Sequence, residues 1–242
     1  MKILADLHTH TVGSGHAYST LTENAQNVAL KGLKIIGMTD HGPSMPGAPH
    51  LYYFGNFSII PKKIHGVRIL RGVEANIISQ EGELALPHRY LAMMELVLVG
   101  LHVICYPGGG IEENTHAFIK AMKNPFTDIM AHPGRLEFPL DLEKIAYMSN
   151  KLNVPLELNN SSLCPEKGAA WDNCRILAKA IVKYGGLVSL GSDAHFWDRV
   201  GDFSNCLQLV QESGIKEEQI LNTSLTKLED YLKRRHELRP TN

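Results

Sequence analysis

The sequence predicts an α/β fold: a closed, TIM-like (β/α)7 barrel with its chemistry at the C-terminal ends of the strands. Three observations predict it. Seven continuous apolar runs alternate with helical patterns from one end of the chain to the other, as parallel strands covered by helices require. The length of 242 residues suits one such barrel, so residues 1–242 are read as a single domain without linker, repeat or low-complexity segment. Six of the seven runs end in His, Asp or Glu, and a barrel brings such ends to one mouth. An open doubly wound sheet is the alternative, and it would spread the same residues along a line.

The elements follow in order. The first run, Ile3–Leu7, leads into His8 and His10. Strand side chains alternate, so these two imidazoles share a side, roughly 6–7 Å apart along the chain. A helix is expected at Thr22–Leu30, with Thr22 as its N-cap and Gly32 as its stop. The second strand, Ile35–Thr39, ends at Asp40 and His41. A weak helical pattern covers Ile59–Ile64, and the third strand, Val67–Val73, delivers Glu74. His88–Glu95 reads as helix, and Leu96–Val103 as the fourth strand, carrying His102. Glu112–Met122 is helical, and Asp128–Ala131 is a short fifth strand before His132. Asp141 caps a helix at Leu142–Leu152, followed by the sixth strand, Val154–Leu158. Trp171–Tyr184 is helical and stopped by Gly185. The seventh strand, Leu187–Gly191, leads to Asp193 and His195. Helices at Phe203–Glu212 and Ser224–Arg235 complete the pattern. Two long loops, Gly42–Phe57 and Tyr106–Thr115, would overhang the mouth as candidate substrate walls. Pro107–Gly110 lacks the spacing of a phosphate-binding loop.

Composition excludes several classes. A net charge of −1, with Lys233-Arg234-Arg235 as the basic run, gives no support for nucleic-acid binding. Cys105, Cys164, Cys174 and Cys206 form no CxxC pair, which argues against a zinc ribbon and for free thiols. No apolar run approaches the roughly 18 residues of a membrane span. The chain opens directly on a strand, so no signal peptide is expected, and the cytoplasm is the expected location. The informative number is 12 histidines, seven of them at strand ends or in the loop after the first strand.

As a set, His8, His10, His16, His41, Glu74, His102, His132, Asp193 and His195 form a candidate metal constellation. Imidazole and carboxylate ligands suit zinc, manganese or iron, and the absence of thiolates favours a catalytic over a structural site. Nine ligands exceed the needs of one tetrahedral ion and suit a cluster of two or three. Glu74 is the natural bridging carboxylate. Asp193 and His195 repeat the i, i+2 spacing of His8 and His10, which would set the first and seventh strands side by side. His16 sits in a Gly/Ser-rich loop, Val12–Ser19, where it reads equally as a solvated loop histidine.

Around this set, Asp40 lies on the opposite strand face from His41 and reads as a support. Glu157 and Asn159, on the sixth strand, are candidates to hold ligand imidazoles by their outer nitrogens or simply to cap the barrel. Arg135 is the best-placed cation for a substrate phosphate, with a surface ion pair as the plainer reading. His50, His65, His88, His116 and His236 are read as non-ligands. No convincing serine or cysteine nucleophile is present.

The motifs LHTHT (Leu7–Thr11), TDHG (Thr39–Gly42), GVEA (Gly72–Ala75), GLH (Gly100–His102), AHPG (Ala131–Gly134) and GSDAH (Gly191–His195), in this order, resemble the PHP (polymerase and histidinol phosphatase) family. The resemblance spans essentially the whole chain and is closest to the stand-alone YcdX-type phosphatases. It implies a distorted TIM-like (β/α)7 barrel with three divalent metal ions, usually zinc, in its mouth. One ion would take His8, His10, Glu74 and Asp193; a second Glu74, His102 and His132; a third His16, His41 and His195. Every ligand position of that pattern is filled here. The implied activity is a metal-dependent phosphatase, hydrolysing phosphate monoesters by attack of metal-bound hydroxide, with Glu74 and Asp193 as the carboxylates of the catalytic cluster. A phosphodiesterase or 3′–5′ exonuclease of the same fold is the alternative, and a non-catalytic metal-binding regulatory module a more distant one. The expected partner is a small phosphorylated substrate, with no nucleic acid and no membrane. A homo-oligomer, a trimer among its forms, is also implied.

Overall fold

In a computed structural model, which describes residues 1–164 and 170–240, seven parallel strands run in the order β1 (Ala5–Thr9), β2 (Ile35–Met38), β4 (Val67–Asn76), β5 (Leu96–Gly100), β6 (Ile129–Met130), β7 (Leu156–Asn159) and β8 (Val188–Gly191). The two ends of that order meet. Thr9 of β1 bridges Ala194 just after β8, His10 N–H donates to the Ala194 carbonyl at 2.9 Å, and Asp193 N–H donates to the His8 carbonyl at 2.9 Å. The open sheet is thereby excluded, and the first and last strands are neighbours. Lower in the seam a side chain stands in for backbone. Asn222 accepts from Leu190 N–H and donates to the carbonyls of Leu190 and Ala5, each at 2.8–2.9 Å.

The helices α1 (Leu21–Leu30), α4 (Ile111–Met122), α5 (Leu142–Leu152), α6 (Trp171–Tyr184), α7 (Ser204–Ser213) and α8 (Leu225–Glu237) follow the expected pattern to within about two residues. Asp141 caps α5 through a bond from Lys144 N–H, and Gly185 ends α6 in the left-handed region. Some boundaries differ, for local reasons. The cap of α1 is Thr20, not Thr22: Thr20 and Glu23 close a reciprocal capping box. The weak helix at 59–64 is absent. There, a 3-10 turn at Phe57–Ile59 leads to β3 (Lys63–Ile64), which turns through His65-Gly66, both at positive φ, and pairs antiparallel with β4. The helix from His88 is the short α3 (His88–Leu91), and β5 stops at Gly100. A short helix, α2 (Leu51–Gly55), forms inside the 42–57 loop, capped by the His50 imidazole.

The core has two layers. The larger lies between strands and helices and includes Ile36, Val73, Val97, Phe118, Leu156 and Leu190. The smaller fills the barrel floor with Ala5, Leu7, Ile35, Leu70, Leu96, Leu98 and Ile129, closed by Leu228, Tyr231 and Leu232 of α8. Helix α8 is thus a plug on the N-terminal end. Its Tyr231 hydroxyl donates to the Asp128 carbonyl at 2.6 Å, and Arg235 donates to the Thr127 carbonyl at 2.6 Å. Replacing Tyr231 by Phe leaves the ring and removes that bond. We expect a loss of about 1 kcal/mol, a melting temperature lower by roughly 2–4 °C, and unchanged catalysis, since the mouth is at the other end. Thermal melts with parallel assays check this.

A bulge in β1 links floor to mouth. Asp6 pairs with Ile36 and Thr9 with Met38, so β1 spends one residue more than β2 over the same stretch. The extra residue breaks the strict alternation. Leu7 joins the apolar floor, while His8 and His10 face the polar site above it.

Candidate metal centre

All nine predicted ligands converge on the mouth, most of them buried. Ligand atoms of His8, His10 and Asp193 lie within 4.8 Å of one another; so do those of His41, Glu74 and His102, and those of His10, His41 and His195. Glu74 is at the centre. Its Oε2 is 3.3 Å from His8 Nε2, 3.5 Å from His10 Nε2 and 2.9 Å from His41 Nδ1. Its Oε1 is 2.6 Å from His132 Nε2 and 3.2 Å from His102 Nε2. His16 Nε2 comes within 3.1 Å of His195 Nε2, and its ring lies 5.0 Å from that of His41. His16 is therefore on the rim of the cluster, not a distant loop residue. Within the third group the structure adds His10, which also faces His41 and His195.

The outer nitrogens fix the tautomers, which decides what the inner ones can do. His8 Nδ1 is 2.8 Å from Glu157 Oε1; a carboxylate only accepts, so Nδ1 carries the hydrogen. His10 Nδ1 is 3.0 Å from Ser14 Oγ, whose own hydrogen goes to Asp40 Oδ1 at 2.6 Å. Ser14 must therefore accept from His10 Nδ1. In their neutral forms both imidazoles present an Nε2 lone pair inward, and these lone pairs face each other at 3.1 Å. Neutral imidazoles so placed repel unless a cation lies between them. His195 Nδ1 is likewise satisfied by the Asp193 carbonyl at 3.0 Å, leaving Nε2 for the site. Among the described residues, Glu74 Oε2, His41 Nδ1 and both His102 ring nitrogens are buried without a hydrogen bond of acceptable geometry. Buried polar atoms are rarely left so. Converging imidazole nitrogens, orphaned buried atoms and two carboxylates held ionised are donors that suit divalent cations, and the residues fit such a group.

The charges of the site are coupled: burial opposes protonation of His8, but Glu157, Glu74 and Asp193 raise its imidazole well above the ordinary value, so a cation bound there would take the place of a proton. Burial opposes ionisation of Glu74, but the imidazoles of His102, His8 and His41 hold its carboxyl well below the usual range. Asp193 is held low against burial by His8 and Arg135. Burial, with His41 and His195 beside it, pushes His10 well below an ordinary imidazole, and burial with the neighbouring Arg135 lowers His132 to about 4. These imidazoles stay neutral, as metal ligands must.

The supports come from the backbone outward. Glu157 holds two ligands at once: Oε1 takes His8 Nδ1, and Oε2 takes His132 N–H at 2.9 Å and Asn159 Nδ2 at 3.1 Å. Asp40 gathers Thr11 N–H at 2.7 Å, Ser14 Oγ, and the Tyr53 hydroxyl at 2.6 Å. It is a support, as its strand position suggested. Two glycines make room. A Cβ at Gly191 would stand 1.9 Å from Glu157 Oε1, and one at Gly100 2.8 Å from the His132 ring. The candidate ligands His132 and Asp193 themselves adopt positive φ, 34° and 54°, local strain of the kind stored at functional sites. Sequence reasoning missed Ser14, Tyr53 and the glycines. An isolated glycine in a strand pattern was the available signal for close approach; nothing marked Ser14.

Arg135 donates to Asp193 Oδ2 and, through Nε, to Ser162 Oγ at 3.1 Å, with its side chain part exposed at the mouth. His50, His65, His88, His116 and His236 belong to none of the ligand groups. The loop from Tyr106 packs its ring on Phe138. No helix is long and apolar enough to cross a membrane, among the described residues.

Comparison with known proteins adds the following. A family model described as PHP domain matches residues 6–163. A chain from Thermoanaerobacter sp. (strain X514), named Probable phosphatase, is 47% identical over 234 residues, covering 96% of each chain. The solved hisK chain from Listeria monocytogenes superposes with TM-score 0.61 at 17% identity, covering 83% of this chain and 98% of that one. Histidinol phosphate phosphatase from Lactococcus lactis, solved with zinc, L-histidinol and phosphate, gives TM-score 0.57 at 14% identity over 88% and 94% of the two chains.

Proposed function

The chain belongs to the PHP domain family, and from that membership and the site's chemistry we propose that it is a metal-dependent phosphatase acting on phosphate monoesters at a centre of three divalent ions. The carrying observation is the pair of inward Nε2 atoms of His8 and His10, ring orientations fixed from outside by Glu157 and Ser14, facing Glu74 and Asp193. His8, His10, Glu74 and Asp193 would hold one ion, Glu74, His102 and His132 a second, and His16, His41 and His195 a third, with Glu74 as bridge. Zinc is the first candidate, with manganese and iron accepting the same ligands. The name of the Thermoanaerobacter relative supports a phosphatase, and the zinc in the Lactococcus lactis structure supports the choice of metal. Within the family we place the chain with the stand-alone YcdX-type enzymes, as a cytoplasmic homo-oligomer.

Such ions, when bound, acidify water and neutralise charge on the phosphoryl oxygens. The chain's own residues do the rest. Glu157 and the Ser14–Asp40 pair orient His8 and His10, and Asp193 and Glu74 supply the negative charge that makes several cations compatible. Arg135 stands at the mouth with donors that match phosphate oxygens. Arg135→Ala is expected to raise KM about tenfold and leave metal content intact, the signature of lost ground-state binding; steady-state kinetics with elemental analysis read both. The reading as a whole is tested by metal analysis of the purified protein together with a panel of phosphate mono- and diesters. We expect about three ions per chain and faster monoester hydrolysis. A fully loaded protein that cleaves neither class overturns it, and preference for diesters transfers the assignment to a phosphodiesterase.

A further inference from the structure

Beside the metal centre, and sharing Asp193 and His195 with it, lies a cavity of about 380 Å³. The ligand set does not use it. Its walls include Tyr18, Ala194 and Phe196, with Arg199 and Asp202 also lining it. Tyr18 and Phe196 are 75% and 45% exposed. The two segments are tied together, since Tyr18 N–H donates to the His195 carbonyl at 2.8 Å. Two large rings are thus held by backbone at the edge of a polar metal site, still largely open to solvent. Aromatic surface left open next to a binding site is surface available to a ligand.

We propose that this cavity seats the organic part of the substrate, and that the preferred substrates are phosphate monoesters of compact, uncharged, ring-bearing alcohols. The inference rests on the phosphatase reading and deepens it. Three features of the lining carry the class. The cavity opens on Asp193 and His195, so an ester whose phosphoryl group lies on the cluster extends its alcohol towards Tyr18 and Phe196. Those rings, with Ala194, reward flat apolar surface, through area and through ring–ring contacts. Among its described lining residues two carboxylates, Asp193 and Asp202, outnumber the one cation, Arg199, which stands 3.9 Å from Asp202. A second phosphate, as in a sugar bisphosphate or the next nucleotide of a strand, would meet more negative than positive charge among those residues. The volume fits a ring or two with substituents, not a polymer.

Benzyl phosphate and propyl phosphate test this, because both release a primary alkoxide and differ in the ring. The wild-type enzyme is expected to prefer benzyl phosphate about tenfold or more in kcat/KM. Phe196→Ala and Tyr18→Ala should each cut the benzyl-to-propyl ratio of kcat/KM several-fold, measured on preparations of verified zinc content. Phe196→Leu separates ring from bulk: it should lower the benzyl-to-propyl ratio about as far as Phe196→Ala does. Equal kcat/KM for the two esters in the wild type, or a preference that survives both alanine variants, overturns the proposal while the phosphatase reading stands. Absence of turnover on both esters by the zinc-loaded protein overturns the two together. Faster turnover of a sugar bisphosphate than of benzyl phosphate overturns the substrate class alone.

Discussion

Glu74→Gln is expected to empty two metal positions together and to lower phosphatase activity by roughly 10³-fold or more, the scale on which loss of one charge-stabilising group is felt. Both carboxylate oxygens are in use: Oε2 faces His8, His10 and His41, and Oε1 faces His102 and His132. Glutamine keeps the volume but loses the charge, and its nitrogen has no lone pair to offer an ion. Two cations about 3.5–4 Å apart would then repel with less negative charge between them. The barrel should still fold, because the change removes a buried charge and leaves the packing of Val73 and Ala75 in place. Circular dichroism, metal content and kinetics on one preparation check all three parts. Full metal content with near-normal turnover would refute the bridging role.

Chelation is expected to lower the melting temperature by about 10 °C or more. An ion that binds only the folded state, present at a thousandfold its dissociation constant, contributes about 4 kcal/mol, and a chain of this length converts each kcal/mol into about 2–4 °C. The geometry says why the native state suffers. Removing cations leaves the Nε2 atoms of His8 and His10 at 3.1 Å, with Glu74 and Asp193 buried among them. Calorimetry with and without chelator, with metal removal verified by elemental analysis, measures the shift. An unchanged melting temperature after verified removal would show that the site is not a source of stability.

Much of this was legible because barrels translate sequence order into geometry simply. An apolar run ending in His, Asp or Glu is visible in one dimension, and parallel strands deliver all such ends to one face. The convergence of the nine candidate ligands, and the supporting places of Asp40 and Glu157, were readable for that reason. What was not readable depends on register. The bulge between Asp6 and Thr9 has no mark in the sequence, yet it lets Leu7 and His8 share the interior. Ser14 sits in an ordinary loop, and its place between His10 and Asp40 follows from a 3-10 turn at Val12–Ser14 that no periodicity announces. Thr20 displaced Thr22 as a cap because Glu23 reaches back to it, a pairing that spacing alone offered but did not enforce. Cavity walls such as Tyr18 and Phe196 come from segments 178 residues apart and are adjacent only because the barrel closes.

That closure has a consequence for how the protein is made. The seam joins the first strand to the last, through Thr9 and Ala194 and through the Asn222 amide. His8 and His10 are synthesised some 185 residues ahead of Asp193 and His195. The early histidines therefore wait through synthesis with lone pairs exposed, and contacts of such sequence separation form late in folding. For the proposed ions that need Asp193 or His195, capture would then follow closure of the seam, while Glu74, His102 and His132 are available earlier. A ribosome-bound chain stalled before β8 should retain less zinc than a chain extended past His195, which gains the two proposed positions that need Asp193 and His195.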